Sequence, residues 1–410
     1  MATIKAFKAV RPKTEYSAKV AALPYDVYNT KEAREEINKN PLSFLQVDLP
    51  LATLPEDFHG DNLEINRHAV INFKKMWDEG YFMQEDENCL YLYEMTMNNH
   101  VQLGLVCATS VDEYLDGTIK KHEKTRAEKE IDRINHIDAL DANTGPIFLT
   151  YKNEEKIKNT IAQCVKEPSE IDFISDDEVR HRIWTIRDEK TISDLENYFT
   201  EIPNLYIADG HHRSASAIKV SLKRREENPQ FKGDEEFNYF MSILFPSDNV
   251  QIYDYNRVVK DLKGLSHEEL LEKIEENFKL EKVDQKLKPS KKSEFGMYLK
   301  GQWYKLTYNG EMTGDEIEDL DVSILQNKLL SPILEIKDPR TDDRIDFIGG
   351  IRGLEELERR VGEDMEIAFS LYPTSLDELM TVANANKEMP PKSTWFEPKP
   401  RSGLFIHKLQ

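Results

Sequence analysis

A short apolar run at residues 204–208 passes straight through Asp209-Gly210 into residues 214–225, a stretch of helical pattern. An apolar run of roughly four to eight residues that ends in a turn reads as a strand buried on both faces, and such a strand needs other layers on either side of it. A second run of this kind, 237–245, is expected at the centre of the same sheet. Around these two, strands and helices mix without a strict strand–helix–strand rhythm. The fold expected is therefore α+β, with mixed α/β layers.

Other elements follow from periodicity and turn chemistry. A helix is predicted over 30–39, with Thr30 as N-cap and Pro41 beyond its end. Another, near 62–80, carries Ile65, Val70, Ile71, Phe73 and Trp77 on one side. Strands at 89–97 and 101–110 turn at Asn98-Asn99. Residues 119–141 read as polar and helical, and Gly145-Pro146-Ile147-Phe148 as a strand entry. A strand is predicted at 182–187 and a helix starting near Ser193. Over 261–293 a charged helix and a lysine-rich connector change the composition, which places the main boundary near 260. Beyond it come a hairpin (295–299 and 302–308), a helix at 321–334, a strand at 344–348, a helix at 354–361, a strand at 366–372 and a helix at 375–385. At 410 residues the chain exceeds one core; roughly 150 residues per domain gives two or three units. The organisation expected is a core over 1–260 with an N-terminal elaboration, then a C-terminal α/β region over 261–410 whose tail folds back on the core.

Composition removes several function classes. There is no run of about 18 apolar residues and no signal-peptide apolar region at the start, so neither a membrane span nor export is expected. Cys89, Cys107 and Cys164 are far apart and form no CxxC pair, which fits a reducing cytoplasm rather than a disulfide framework. A formal net charge of −21 works against a nucleic-acid binder, which needs a basic face. A small-molecule partner is the starting expectation, with the oligomeric state open.

Two stretches carry chemistry. In Asp209-Gly210-His211-His212-Arg213 the glycine permits a sharp turn, and the helix start that follows offers N–H groups and a positive dipole end to a phosphate. His211, His212 and Arg213 add donors and charge. The competing account is an Asp cap, a turn glycine and three solvated polar residues. His122-Glu123-Lys124-Thr125 packs an acid/base group, a carboxylate, a cation and a hydroxyl together, with Asp132, Arg133 and His136 at near-helical spacing beyond. A carboxylate beside a substrate hydroxyl can act as general base while Lys and His steady phosphate charge; an ordinary charged helix is the alternative. HExxH spacing fails after His122-Glu123, and neither a Walker A nor a protein-kinase set is present. No metal ligand set is read. The glycine turn 349–353 is taken as structural. Lys392, Ser393 and Thr394, in a stiff proline-rich segment with Trp395 and Phe396, could line the site and meet an anion. Asp26, in the Pro24-Tyr25-Asp26 loop, could hold a metal or an amine, or the loop is simply a turn packed by Tyr25.

The stretches ALPYDVYN, KKHEKT, NTGPIF, ADGHHR and MPPKSTWFEPKPRSGL together resemble the bacterial and archaeal family called domain of unknown function 1015, over nearly the whole chain. More distantly, over residues 119–225, the order His-Glu, Pro-Ile, Asp-Gly-His-His-Arg is similar to the ParB/sulfiredoxin superfamily, nearest to free-serine kinases. That resemblance implies a ParB/sulfiredoxin-like catalytic core. It implies that Glu123 activates a serine hydroxyl and that Asp209, His211, His212 and Arg213 grip phosphates. Sulfiredoxin chemistry is not expected, since His211 stands where those proteins need a cysteine. The function expected is a phosphotransferase acting on the hydroxyl of a small metabolite, L-serine favoured. The donor would be ATP, ADP or pyrophosphate with Mg2+. Glu123, His122 and His211 are the catalytic candidates; Asp209, Gly210, His212, Arg213, Lys124, Thr125, Lys392 and Ser393 are the phosphate- or cofactor-binding ones. The alternative is a non-catalytic ParB-like nucleotide-binding regulator. A phosphoryl acceptor must sit between base and phosphate clamp, so Glu123 and His211 are expected within about 10 Å of each other.

Overall fold

In the computed structural model, which describes residues 1–125 and 127–410, the chain divides into two compact units: Met1–Val250 with Pro398–Gln410, and Gln251–Glu397. Helices and strands are mixed in both. The first unit is built on a nine-stranded sheet: β1 (Ile4–Lys5), β2 (Leu90–Met97), β3 (His100–Ser110), β4 (Ile119–Lys120), β5 (Ile147–Tyr151), β6 (Ile171–Ile174), β7 (Arg180–Ile186), β8 (Leu205–Asp209) and β9 (Tyr239–Pro246). Their order is β4-β8-β5-β9-β3-β2-β7-β6, with β1 added on β3. The apolar β9 is central, as its composition requires, and every residue after Tyr239 in it is buried. The β2–β3 hairpin closes through Asn98 (φ 48°) and Asn99 (φ 65°), since asparagine tolerates the left-handed region that such a turn needs.

Three helices pack in series: α1 (Asn62–Asp78), α2 (Ala127–Leu140) and α3 (His211–Glu227), with α1 against α2 and α2 against α3. The stretch 119–141, expected as one helix, is not one. It is strand β4, then a loop carrying residues 121–125, then α2. Helix α3 starts three residues before Ser214, so His211, His212 and Arg213 are its first turn. The helix Thr30–Lys39 is capped by Asn29 rather than by Thr30, which lies inside it. The Asn29 side chain accepts from the Glu32 amide while Glu32 reaches back to the Asn29 amide. On α1, Val70, Ile71 and Trp77 are exposed, and the buried positions are Asn66, Ala69 and Met76. Its contact with α2 is partly polar, through Asn62 to Asp132 (2.8 Å) and Asn135 to Asn62 (2.9 Å), while Phe73, Ala69 and Met76 pack in an apolar cluster.

The last thirteen residues belong to the first unit. Ile406 bridges to Val10, Ser402 to Ala22, and His407–Lys408 pairs with Ala142–Asn143. Leu404, Phe405 and Ile406 are fully buried, and Arg401 anchors the stretch by an ion pair with Asp177 (2.5 Å).

The second unit carries a six-stranded antiparallel sheet: β10 (Tyr255–Val259), β11 (Phe278–Val283), β12 (Glu294–Leu299), β13 (Gln302–Tyr308), β14 (Ile345–Gly349) and β15 (Ile367–Leu371), in the order β11-β13-β12-β15-β10-β14. The expected connector at 261–293 contains β11, which composition hid because three of its six residues are charged. The expected helix at 321–334 is a short α turn, Asp321–Leu325, followed by a π turn, Gln326–Leu330. The glycine turn is structural: the Gly350 amide donates to the Asp254 carbonyl (2.7 Å), and a side chain at Gly350 would collide with the Asp254 carboxylate.

Phe405 is wholly buried against Tyr91 (5.3 Å between centroids) and Tyr93 (5.9 Å). Phe405→Ala is expected to destabilise the first unit by about 3–5 kcal/mol through the lost transfer energy and the cavity left behind. Equilibrium urea unfolding measures this, and a loss below about 1 kcal/mol would mean the tail is not part of that core.

Candidate functional site

The site is assembled by a register. β4 lies parallel to β8, with Leu205 opposite Ile119 and Tyr206 opposite Lys120. Parallel strands end at the same edge of a sheet, so residues 121–125 and residues 209–213 leave it side by side. β5 runs antiparallel to β8 and starts at this edge, with Asp209 opposite Phe148 across a bulge. The chain turns from β8 into α3 at Gly210 (φ +97°), a conformation that a residue with a Cβ rarely adopts.

At that edge Glu123 Oε2 lies 3.7 Å from His211 Nδ1. The rings of His122 and His211 meet edge to face, centroids 4.4 Å apart. His122 donates to the Ile207 carbonyl, and since Nδ1 has no partner among the described residues, the donor is Nε2. His211 Nε2 is likewise buried without a partner among the described residues. Arg213 donates through Nη1 to the Pro146 carbonyl (2.9 Å) and through Nη2 to Asp209 Oδ2 (3.3 Å). Lys399 Nζ stands 3.7 Å from the same carboxylate oxygen.

Electrostatics divide the cluster into neutral rings and a clamped charge. Burial lowers the His122 pKa to about 4, against the pull of the Ile207 carbonyl and Asp209. Burial, then the neighbouring His122, His212 and Lys121, hold His211 well below the usual histidine range. Burial works to raise Asp209, but Lys399 and Arg213 outweigh it and keep the carboxyl below its ordinary value. Both rings are thus uncharged near neutral pH, while Asp209 is an anion held between two cations.

Of the other sequence-derived candidates, Lys124 is exposed and His212 half-buried on the first turn of α3. Thr125 hydrogen-bonds Glu130, whose carboxylate also pairs with Lys219. Lys392 and Ser393 lie in the second unit. There Lys392 Nζ stands over the Tyr255 ring (5.4 Å), and Ser393 Oγ donates to the Pro390 carbonyl (2.6 Å) while its own carbonyl accepts from Thr374. Asp26 sits in a one-turn helix, Tyr25–Val27, with Tyr25 under the Arg133 guanidinium at 4.0 Å. Sequence reasoning missed Lys399. Its signal was the Pro398-Lys399-Pro400 triplet, in which two prolines fix the backbone around one cation. Among the described residues no group of three or more His, Cys, Asp and Glu is placed to hold a metal ion. No helix among them is long and apolar enough to cross a membrane.

Over residues 4–323 the chain matches the family model described as protein of unknown function, DUF1015, and it belongs to that family. Curated proteins provide no match. Solved structures with some similarity include a free serine kinase in complex with AMP (15% identity, 73% of this chain and 92% of that one, TM-score 0.34). SbnI with a C-terminal truncation from Staphylococcus aureus is another (12%, 72% and 85%, TM-score 0.39). A conserved hypothetical protein from Pyrococcus furiosus is a third (14%, 73% and 93%, TM-score 0.34). These scores mark a loose overall likeness, and nothing about this site rests on them.

The buried rings predict an acid-sensitive fold. A histidine with a depressed folded pKa stays neutral in the fold while the unfolded chain takes up its proton below about pH 6.5. His122 and His181, the latter lowered by burial and then Arg401 to about 3, both behave this way. Stability is therefore fully present above about pH 6.5 and declines as pH falls towards 4, by up to about 1.4 kcal/mol per pH unit for each ring. Melting curves between pH 7.5 and 5 test this; an unchanged midpoint would mean that the rings titrate normally.

Proposed function

We propose that this centre transfers a phosphoryl group from a nucleotide or pyrophosphate to the hydroxyl of a small metabolite, with L-serine the favoured acceptor. The observation that carries the reading is the 3.7 Å approach of Glu123 to His211, at a helix start that Arg213 and Lys399 flank. The motif resemblance to free-serine kinases supports the same assignment.

Glu123 is half-exposed, as a base that must meet an incoming hydroxyl should be. It takes the acceptor's proton as the new O–P bond forms and the bond to the donor's leaving oxygen breaks. The donor departs as the anion of ADP, AMP or phosphate. Charge on the transferring group is met by the first-turn amides of α3, by Arg213, Lys399 and His212, and by His211 Nε2 when that nitrogen carries the ring proton. His122 holds the Glu123 loop to β8 through the Ile207 carbonyl. Were Mg2+ bound with the donor, Asp209 would hold it, and it would neutralise phosphate charge. A cytoplasmic location accords with a nucleotide-linked metabolic reaction and with Cys89, Cys107 and Cys164, none of which forms a disulfide.

Phosphorus NMR of the purified chain with L-serine, Mg2+ and ATP, ADP or pyrophosphate in turn is expected to show phosphoserine. Glu123→Gln keeps the shape and removes the base, so turnover should fall about 10²–10⁴-fold while the donor still binds. Lys399→Ala removes a charge-assisted contact of about 1.5–3 kcal/mol, which is roughly 10–150-fold in donor affinity by calorimetry. Donor binding with no transfer to any hydroxylated metabolite would make the protein a nucleotide-binding regulator instead.

A further inference from the structure

Beside the centre, and sharing Arg213 with it, lies a cleft in the first unit lined by Tyr25, Asp48, Arg133, Thr144, Arg213 and Ser402. The cleft holds about 400 Å³ of space, open solvent included. Three of the motif stretches converge here: Tyr25 comes from ALPYDVYN, Thr144 and Gly145 from NTGPIF, and Ser402 from the tail. Gly145 keeps the cleft open, because a Cβ there would stand 2.9 Å from Ser402 Oγ and 3.3 Å from Arg213 Nη1.

One wall carries a carboxylate whose one side-chain hydrogen-bond donor, among the described residues, is a hydroxyl. Asp48 is 3% exposed, and its Oδ1 accepts from Thr144 Oγ1 at 2.8 Å. Among the described residues the nearest basic side chain is His136, at 4.0 Å. That same Nε2 donates to the Val47 carbonyl at 2.9 Å, and burial followed by Arg133 lowers the ring's pKa, so the imidazole brings no charge. Arg133 does not neutralise the carboxylate either: it donates to the Asp48 main-chain carbonyl (3.2 Å) and to Asp132 (2.7 Å). A buried carboxylate with one hydroxyl donor is costly unless a cation reaches it. Two guanidinium groups stand beside it, Arg133 stacked on Tyr25 and paired with Asp132, and Arg213 fixed by Pro146 and Asp209. Such planar forks are suited to a carboxylate.

We propose that this cleft binds a small zwitterionic α-amino acid, with its ammonium on Asp48 and its carboxylate on Arg133 and Arg213. As the acceptor's subsite it rests on the phosphotransferase reading; as a binding site it stands without it. A simple anion would leave Asp48 unsatisfied, and a simple amine would leave the guanidinium wall unused. Thr144, Ser402 and Tyr25 offer hydroxyls to a polar side chain.

Calorimetric titration of the full chain without any donor tests it, using L-serine, L-threonine and L-homoserine, then N-acetyl-L-serine and L-serinamide, then inorganic phosphate. At least one of the free amino acids is expected to bind, and loss of either charge in its derivative should weaken it roughly 10–150-fold, the range for a hydrogen bond to a charged group. Asp48→Asn, which retains an acceptor for Thr144, should weaken the amino acid by a similar factor. The derivative series on the unaltered chain decides the matter even where that variant fails to fold. No binding by the three amino acids, equal binding of N-acetyl-L-serine, or a phosphate site that tightens in Asp48→Asn would overturn the proposal. Failure of the kinase reading looks different: the amino acid binds and phosphoserine never forms.

Discussion

Two residue pairs, Leu205 with Ile119 and Tyr206 with Lys120, decide where the candidate site of the first unit can be. They set a parallel register between strands far apart in the chain. Were β4 antiparallel to β8, the Glu123 loop and the α3 start would emerge at opposite edges of the sheet. A slip by one residue would turn Lys120 and Ile119 to the wrong faces and carry the loop with them. The bond from His122 to the Ile207 carbonyl fastens this register beyond the last strand residue. Glu123 then stands against His211 because its neighbour is tied to the strand that His211 follows.

Placing these groups together has an electrostatic cost, and the surroundings show how it is met. The two histidines touch edge to face and stay neutral, so no like charges are forced together. Asp209 keeps its charge because Arg213 and Lys399 flank it, and Arg213 is itself aimed by the Pro146 carbonyl at the start of β5. In a chain of net charge −21, two cations fixed at one sheet edge give an anion a local positive field. Fixed dipoles and charges of this kind act without rearranging when charge moves.

How much of this was legible depended on range. The strand, the glycine turn and the histidine pair at 205–213 are local chemistry and could be read directly, as could the Asn98-Asn99 hairpin. β4 could not: two residues have no period to detect, and it exists because β8 offers it an edge. Without β4 the polar residues 121–125 looked like the start of α2, since Lys and Glu favour helices wherever they fall. The α1 stripe misled in part: Phe73 packs with Ala69 and Met76 in an apolar cluster, while Asn62 meets α2 through hydrogen bonds and Val70, Ile71 and Trp77 stay exposed. The cleft at Asp48 was invisible, as its walls come from segments as distant as Tyr25 and Ser402.

Lys399 shows how a distant segment can be made dependable. A flexible lysine near a chain end loses much rotamer and backbone freedom when it is fixed. Pro398 and Pro400 have removed part of that freedom before folding, since proline locks its own φ and restricts the residue before it. Arg401 next anchors the backbone on Asp177 and Tyr93, and the buried run Leu404-Phe405-Ile406 inserts behind it. The ammonium at Asp209 therefore depends on packing several residues further on. The same stretch gives the cleft its Ser402 wall. Closing the hydrophobic core with the tail and completing the site are consequently one event, and a change that loosens Phe405 would be felt at Asp209 although no atom of that ring need touch it.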